Sequence, residues 1–190
     1  PQDARPLLER AQAHAERGAL DAAVADCSAA LRVQPDLAPA HLLRATLHLA
    51  QRKGVEALAD AERAAALAPA DALPVLVRAR ARLLRNDAAG ALSDARAAQR
   101  LQGGAGAYAL GTLGMALTAS GDAEGALQPL TEALRAAPLD PELWAERGRA
   151  HLALRRYRSA AADVDRAVAL DPGWAVKLRA ELEQLKSRRD

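Results

Sequence analysis

Residues 141–174 read PELWAERGRAHLALRRYRSAAADVDRAVALDPGW. Two helix-forming runs flank the short polar junction Arg155-Arg156-Tyr157, and Asp171-Pro172 closes the second run. The small residues inside this stretch recur through the chain. Ala23, Ala57, Ala91, Ala126 and Ala160 follow one another at intervals of 34, 34, 35 and 34 residues. Each has another alanine seven residues on: Ala30, Ala64, Ala98, Ala133 and Ala167. Five residues beyond stand Pro35, Pro69, Gly103, Pro138 and Pro172. Such a period is that of a helix–turn–helix unit too small to bury its own apolar face, so the units must stack.

In register the units span 4–37, 38–71, 72–105, 107–140 and 141–174, with Gly106 as one extra residue. Each is expected to hold two antiparallel helices joined by a short turn. The turns contain Gly18, Gly54, Asn86-Asp87 and Gly121 in four units, residue types that tolerate the left-handed geometry ending a helix. Proline ends the second helix in four of the five, since it cannot continue one and restrains the residue before it.

The fifth unit, with Trp144, Gly148, His151, Tyr157, Ala160, Ala167 and Asp171-Pro172, resembles a tetratricopeptide repeat (TPR). The fourth follows with Leu110, Leu113-Gly114, Leu117, Ala126, Leu130, Ala133 and Pro138. The first three units carry alanine where the family has glycine. The resemblance covers the whole chain and implies an all-α fold: a right-handed superhelical solenoid of antiparallel helix pairs, one domain over 1–190. A capping helix is expected over 175–188, with Trp174, Leu178, Leu182 and Leu185 as its apolar stripe. The glycine-rich junction 102–106 is expected to act as a hinge. Pro129, inside the second helix of the fourth unit, is expected to kink it.

Two internal patterns bear on how the units are held. Ala11, Ala45, Ala79, Gly114 and Gly148 share one position on the first helices, where lack of bulk lets the paired second helix cross closely. Arg10, Arg44, Arg78 and Arg147 share another, and Asp26, Asp60, Asp94 and Asp163 follow sixteen residues later. In the fourth unit both are replaced together, by Leu113 and Pro129. Loss as a pair favours an intra-repeat ion pair with two hydrogen bonds from a planar guanidinium. The alternative is an arginine ladder for an acidic ligand.

Composition narrows the function. Aromatic residues are 2% of the chain and Phe is absent, which suits close helix packing and argues against an all-β domain. The net charge is +2, and charges of both signs are mixed within every unit, so a nucleic-acid partner is not expected. Only three of the 26 basic residues are lysine, the arginine excess expected of a GC-rich, bacterial genome. Cys27 is the sole cysteine, so there is no disulfide framework, and it falls at a packed apolar position. No apolar run is long enough for a membrane span and no signal peptide is visible. The chain begins at Pro1, as a trimmed domain or processed form would. No residue decides the compartment, and the cytoplasm is weighed slightly above the periplasm.

Chemistry is not expected. His14, His48 and His151 occupy the family's aromatic position, and His41 that of Trp144. They contain no i, i+4 pair, so they read as core imidazoles and no metal is implied. Gly103-Gly104-Ala105-Gly106 lacks the lysine of a phosphate loop, and no nucleophile motif is present. The reading is a protein without catalytic residues or cofactors.

The resemblance implies that the first helices line a concave groove. Carried over by repeat position, its residues are Leu42, Leu43, Thr46 and Leu49 in the second unit, and Leu73, Leu76, Val77, Arg80 and Leu84 in the third. Tyr108, Thr112 and Met115, with Gly111 beside them, come from the fourth. Leu8, Glu9, Gln12 and Glu16 at one end, and Glu142, Glu146 and Arg149 at the other, make the ends polar. The carboxylate clamp of chaperone-binding TPR proteins would need Lys, Arg and Asn where this chain has Leu8, Gln12, Leu43, Leu73 and Val77. The implied function is a protein–protein adaptor or scaffold that takes an apolar or amphipathic segment of another protein. The alternatives are self-association within a secretion, pilus or envelope assembly, and leucines that merely pack helix against helix.

Overall fold

The computed structural model describes residues 3–101, 106–178, 180, 181, 183 and 187. It divides into two compact units, Pro1–Gly104 and Ala105–Asp190. The first holds α1 (Arg5–Glu16), α2 (Leu20–Val33), α3 (Ala38–Ala50), α4 (Gly54–Leu67), α5 (Ala72–Leu84) and α6 (Ala88–Ala98). The second holds α7 (Ala107–Ala119), α8 (Ala123–Ala136), α9 (Pro141–Ala153), α10 (Tyr157–Leu170) and the short α11 (Trp174–Lys177). Consecutive helices pack as antiparallel pairs inside each unit. First helices also pack on first helices, α1 on α3, α3 on α5 and α7 on α9. The described residues contain no strand. Of the junction 102–106 only Gly106 is described, so the expected hinge lies largely outside the described residues.

The helix pairs turn by one device. Gly18, Arg52, Asn86, Gly121 and Arg155, all at the same repeat position, have φ between 58° and 91°. This corrects the expectation for the second unit, where Gly54 was expected to supply the turn. Arg52 takes the left-handed residue there, and Gly54 opens α4. Gly54 is small for another reason. A Cβ on it would lie 3.1 Å from Arg85 Cγ and 3.2 Å from Leu84 Cβ, on the following hairpin. Aspartates 71, 87, 122 and 140 cap α5, α6, α8 and α9 through backbone N–H groups of Leu73, Gly90, Gly125 and Glu142.

Each recurring small residue sits where helices cross. Ala11, Ala45, Ala79 and all ten recurring second-helix alanines are completely buried. A Cβ on Gly114 would fall 2.4 Å from Cγ of the fully buried Leu130, and one on Gly148 would lie 3.1 Å from Val164 Cγ2. The sequence repeat is thus a record of helix-crossing points. α8 runs unbroken through the buried Pro129.

At the C-terminus, Trp174 and Leu178 are buried against Ala145, Leu152, Ala160, Ala161, Val164 and Ala167. They cover the last repeat. Leu182 and Leu185 lie outside the described residues.

Candidate protein-binding faces on the first helices

The recurring charges of the repeat belong to the scaffold. Arg10, Arg44, Arg78 and Arg147 each donate two hydrogen bonds to the aspartate sixteen residues on, at 2.6 to 2.9 Å. The bonds from Arg10 hold the Asp26 carboxyl below its ordinary value. Burial pushes Asp60 up, but bonds from Arg44 and His41 outweigh it and leave the group lowered. These four arginines therefore do not form a ligand ladder.

A further polar side chain at one repeat position lies beside each pair. His14 Nε2 lies 3.8 Å from Asp26 Oδ2, His48 Nε2 3.9 Å from Asp60 Oδ2, and His151 Nε2 3.9 Å from Asp163 Oδ2. Arg82 fills that position in the third unit and donates to Asp94 Oδ2 at 2.7 Å. In the fourth unit the three positions are Leu113, Leu117 and Pro129, so the whole charged cluster is exchanged for an apolar one. His41 meets Asp60 Oδ1 through Nδ1 at 3.0 Å and has a second task. Its Nε2 meets the Pro35 carbonyl at 2.9 Å, as the Trp144 indole N–H meets the Pro138 carbonyl at 2.8 Å one repeat position for another. The histidines are thus spread over several hairpins, and the described residues hold no cluster of metal-ligating groups.

Within the first unit, the residues expected to line a groove separate into core and surface. Leu76 is 2% exposed and Val77 fully buried, which corrects their assignment to the groove. Val77 joins Ala45 and Ala61, with Leu42 and Leu49 packed half-buried against them. Leu43 lies half-buried over Ala11, Ala23, Cys27 and Leu47. Thr46 donates its hydroxyl to the Leu43 carbonyl at 2.7 Å. Leu73 stands out at 42% exposed, with Arg80 and Leu84 half-buried farther along α5. Cys27 is buried, and burial pushes its thiol up to about 11, so it packs as an inert small side chain.

In the second unit, Thr112 is 1% exposed and donates to the Tyr108 carbonyl at 2.8 Å, so it too belongs to the core. Gly111 is also buried, and a Cβ there would fall 2.6 Å from Leu143 Cδ2. Tyr108 is exposed and Met115 half-buried on α7. Glu146 and Arg149, expected at a polar groove end, are drawn into the cap. Arg149 donates to Glu146 Oε1 at 2.5 Å and to Glu181 Oε1 at 2.6 Å. Sequence reasoning missed this contact, because the third partner lies 32 residues away.

The family model of the tetratricopeptide repeat matches residues 141–174. No curated protein matches the chain in sequence. Among solved structures, a thermophilic TPR protein of Thermus thermophilus has a TM-score of 0.78 at 20% identity, with 96% of this chain and 98% of that one covered. PilW, a type IV pilus biogenesis factor, gives 0.75 at 18% identity, over 88% and 77% of the two chains. YrrB, a TPR protein with an unusual peptide-binding site, gives 0.61 at 19%, over 94% and 92%. At these identities the likeness is one of fold. No described helix is long and apolar enough to cross a membrane. Residues 141–174 match the tetratricopeptide repeat in sequence, and the chain as a whole has the helix-pair fold of the solved tetratricopeptide-repeat proteins.

Proposed function

We propose that this chain is a protein-binding adaptor that docks an apolar or amphipathic segment, as a helix, on the first-helix face of its first unit. The TPR fold supports a protein-interaction role in general, and YrrB is a member described by a peptide-binding site. The observation that carries the reading here is Leu73, a large apolar side chain 42% exposed on a first helix, on the same unit as the half-buried Leu42, Leu43, Leu49 and Leu84. An amphipathic helix lays its apolar stripe on such a surface. Half-buried leucines also pack helix on helix, so the face is narrower than the sequence suggests, and Leu73 is its exposed anchor. On the second unit Tyr108 is exposed and Met115 half-buried on α7. The role is binding without catalysis or cofactor.

Selection of peptides from a displayed library on the purified protein tests the reading. Apolar-striped helical peptides are expected. Their affinity should fall at least about tenfold in Leu73→Glu and stay unchanged in Val55→Glu, which alters a still more exposed apolar side chain on a second helix. Equal loss in both, or in neither, contradicts it.

A further inference from the structure

We propose that His41 is a pH-sensitive latch on the turn between the first two repeats, closed while its ring carries two protons and open when it carries one. The inference does not depend on the first-helix reading. His41 stands near the start of α3, and both of its ring nitrogens meet acceptors. Nδ1 lies 3.0 Å from Asp60 Oδ1 on α4, and Nε2 lies 2.9 Å from the Pro35 carbonyl in the turn after α2. A neutral imidazole has one N–H and one bare lone pair, so it can donate to only one of the two. Asp60 does not supply the missing proton as a carboxylic acid, because Arg44 donates to both of its oxygens at 2.7 Å and favours the ionised form. The two contacts together therefore require the imidazolium.

The fifth unit carries the same latch without the switch. At the same repeat position Trp144 donates its indole N–H to the Pro138 carbonyl at 2.8 Å, and Arg147 donates to both oxygens of Asp163. An indole is a donor at every working pH, so that turn is held throughout. His41 performs the task with a proton that imidazole chemistry can withdraw between about pH 5 and 8. The proton that remains stays toward the carboxylate, the stronger acceptor. The Pro35 carbonyl then faces a bare lone pair, and with the His41 side chain 12% exposed, water has little room to replace the lost donor. The turn 34–37 must give way.

The other groups around the latch are neutral or paired. On its own helix, His48 Nε2 lies 3.9 Å from the second oxygen of Asp60. Arg63 on α4 is paired with Asp36 of the turn. On α2, Cys27 keeps its proton, since burial pushes the thiol up to about 11, and the Ser28 hydroxyl accepts from Arg44 Nη1 at 2.9 Å. α1 and α5 meet α3 through apolar side chains, Leu7 and Leu8 beside Ala40 and Val77 beside Ala45. The latch is local, so it is read at the turn rather than from global unfolding, to which every histidine contributes.

NMR of the full chain tests this at the ring and at the turn. Both His41 ring nitrogens should report N–H at pH 5.5, and Nε2 should be bare at pH 8.5. The Leu37 and His41 amides donate to the Gln34 and Leu37 carbonyls. Their protection, corrected for the intrinsic pH dependence of exchange, should fall at least about fivefold over the same interval. His41→Trp, which copies the fifth unit, should keep it high at both pH values, and His41→Phe, which has no donor, should leave it low at both. Protection in the wild type that does not change with pH overturns the proposal, as does a ring that is neutral at pH 5.5 or doubly protonated at pH 8.5. The wild-type pH dependence persisting in His41→Trp also overturns it, since His48 would then be its source. Should a variant fail to fold, the ring and the turn of the wild type decide alone.

Discussion

Arg44 and Asp60 face each other across the α3–α4 hairpin with both guanidinium–carboxylate distances at 2.7 Å. Asp60 is 6% exposed, so its charge depends on this partner and on His41 Nδ1 at 3.0 Å. Removing one member of a buried pair strands the other, which costs far more than the intact pair contributes. Arg44→Ala should therefore destabilise the protein by about 3 kcal/mol in urea unfolding. Arg44→Leu with Asp60→Ala, which imitates the uncharged fourth unit, should recover at least half of that. Arg10 is far more exposed than Arg44, and Arg10→Ala should cost clearly less.

The crossing of α7 and α8 leaves no space for a methyl group. Gly114→Ala should cost roughly 1–3 kcal/mol, since Leu130 is fully buried and cannot step aside. Gly148→Ala meets Val164 at a longer distance and should cost less. Thermal melts of the two variants give the order, and Leu130→Val should partly rescue Gly114→Ala.

The left-handed turns offer a gain. Arg52 and Arg155 sit at φ 61° and 58°, where a side chain is strained. Relief of about 1 kcal/mol, reduced by the greater freedom of an unfolded glycine, leaves Arg52→Gly neutral to slightly stabilising. Gly121→Ala, at φ 91°, should destabilise. A melting temperature that falls in Arg52→Gly contradicts this.

Acid should act on the fifth hairpin before the others lose their carboxylates. Burial holds His151 below its ordinary value of 6.5; Asp163 and Glu124 pull it upward, and Arg147 and Arg156 push it further down. Its buried Nδ1 has no hydrogen-bond partner. The folded protein thus binds this proton more weakly than the unfolded chain does. Stability is unaffected well above pH 6.5 and falls as the pH drops below it. The urea midpoint should be lower at pH 5.5 than at pH 7.5, and His151→Phe should remove part of that difference. Asp26 and Asp60, lowered from 3.8, stabilise above that value and lose their contribution as the pH falls through their depressed values.

The fold was legible because its determinants are local and repeated. Ala126 and Gly114 mark a crossing whose steric demand returns in every unit, and Arg and Asp disappear together in the fourth because they touch. The face of α5 was not legible. In Ala72–Leu84 apolar residues occur on every side, so repeat position alone could not separate the buried Leu76 and Val77 from the exposed Leu73. The third polar side chain of each hairpin was open to recognition, since His14, His48, Arg82 and His151 share one position and Leu117 replaces them where the aspartate is absent. The contact of Arg149 with Glu181 carries no periodic signal, as it is made once, against the segment that ends the array.

Hydrogen exchange on the full chain with a selected peptide tests the central claim most directly. Binding on the first-helix face predicts added protection in α3 and α5, centred on the first turn of α5 around Leu73, with α4 and α6 unchanged. Protection confined to the second helices, or to the segment after Trp174, would contradict the account.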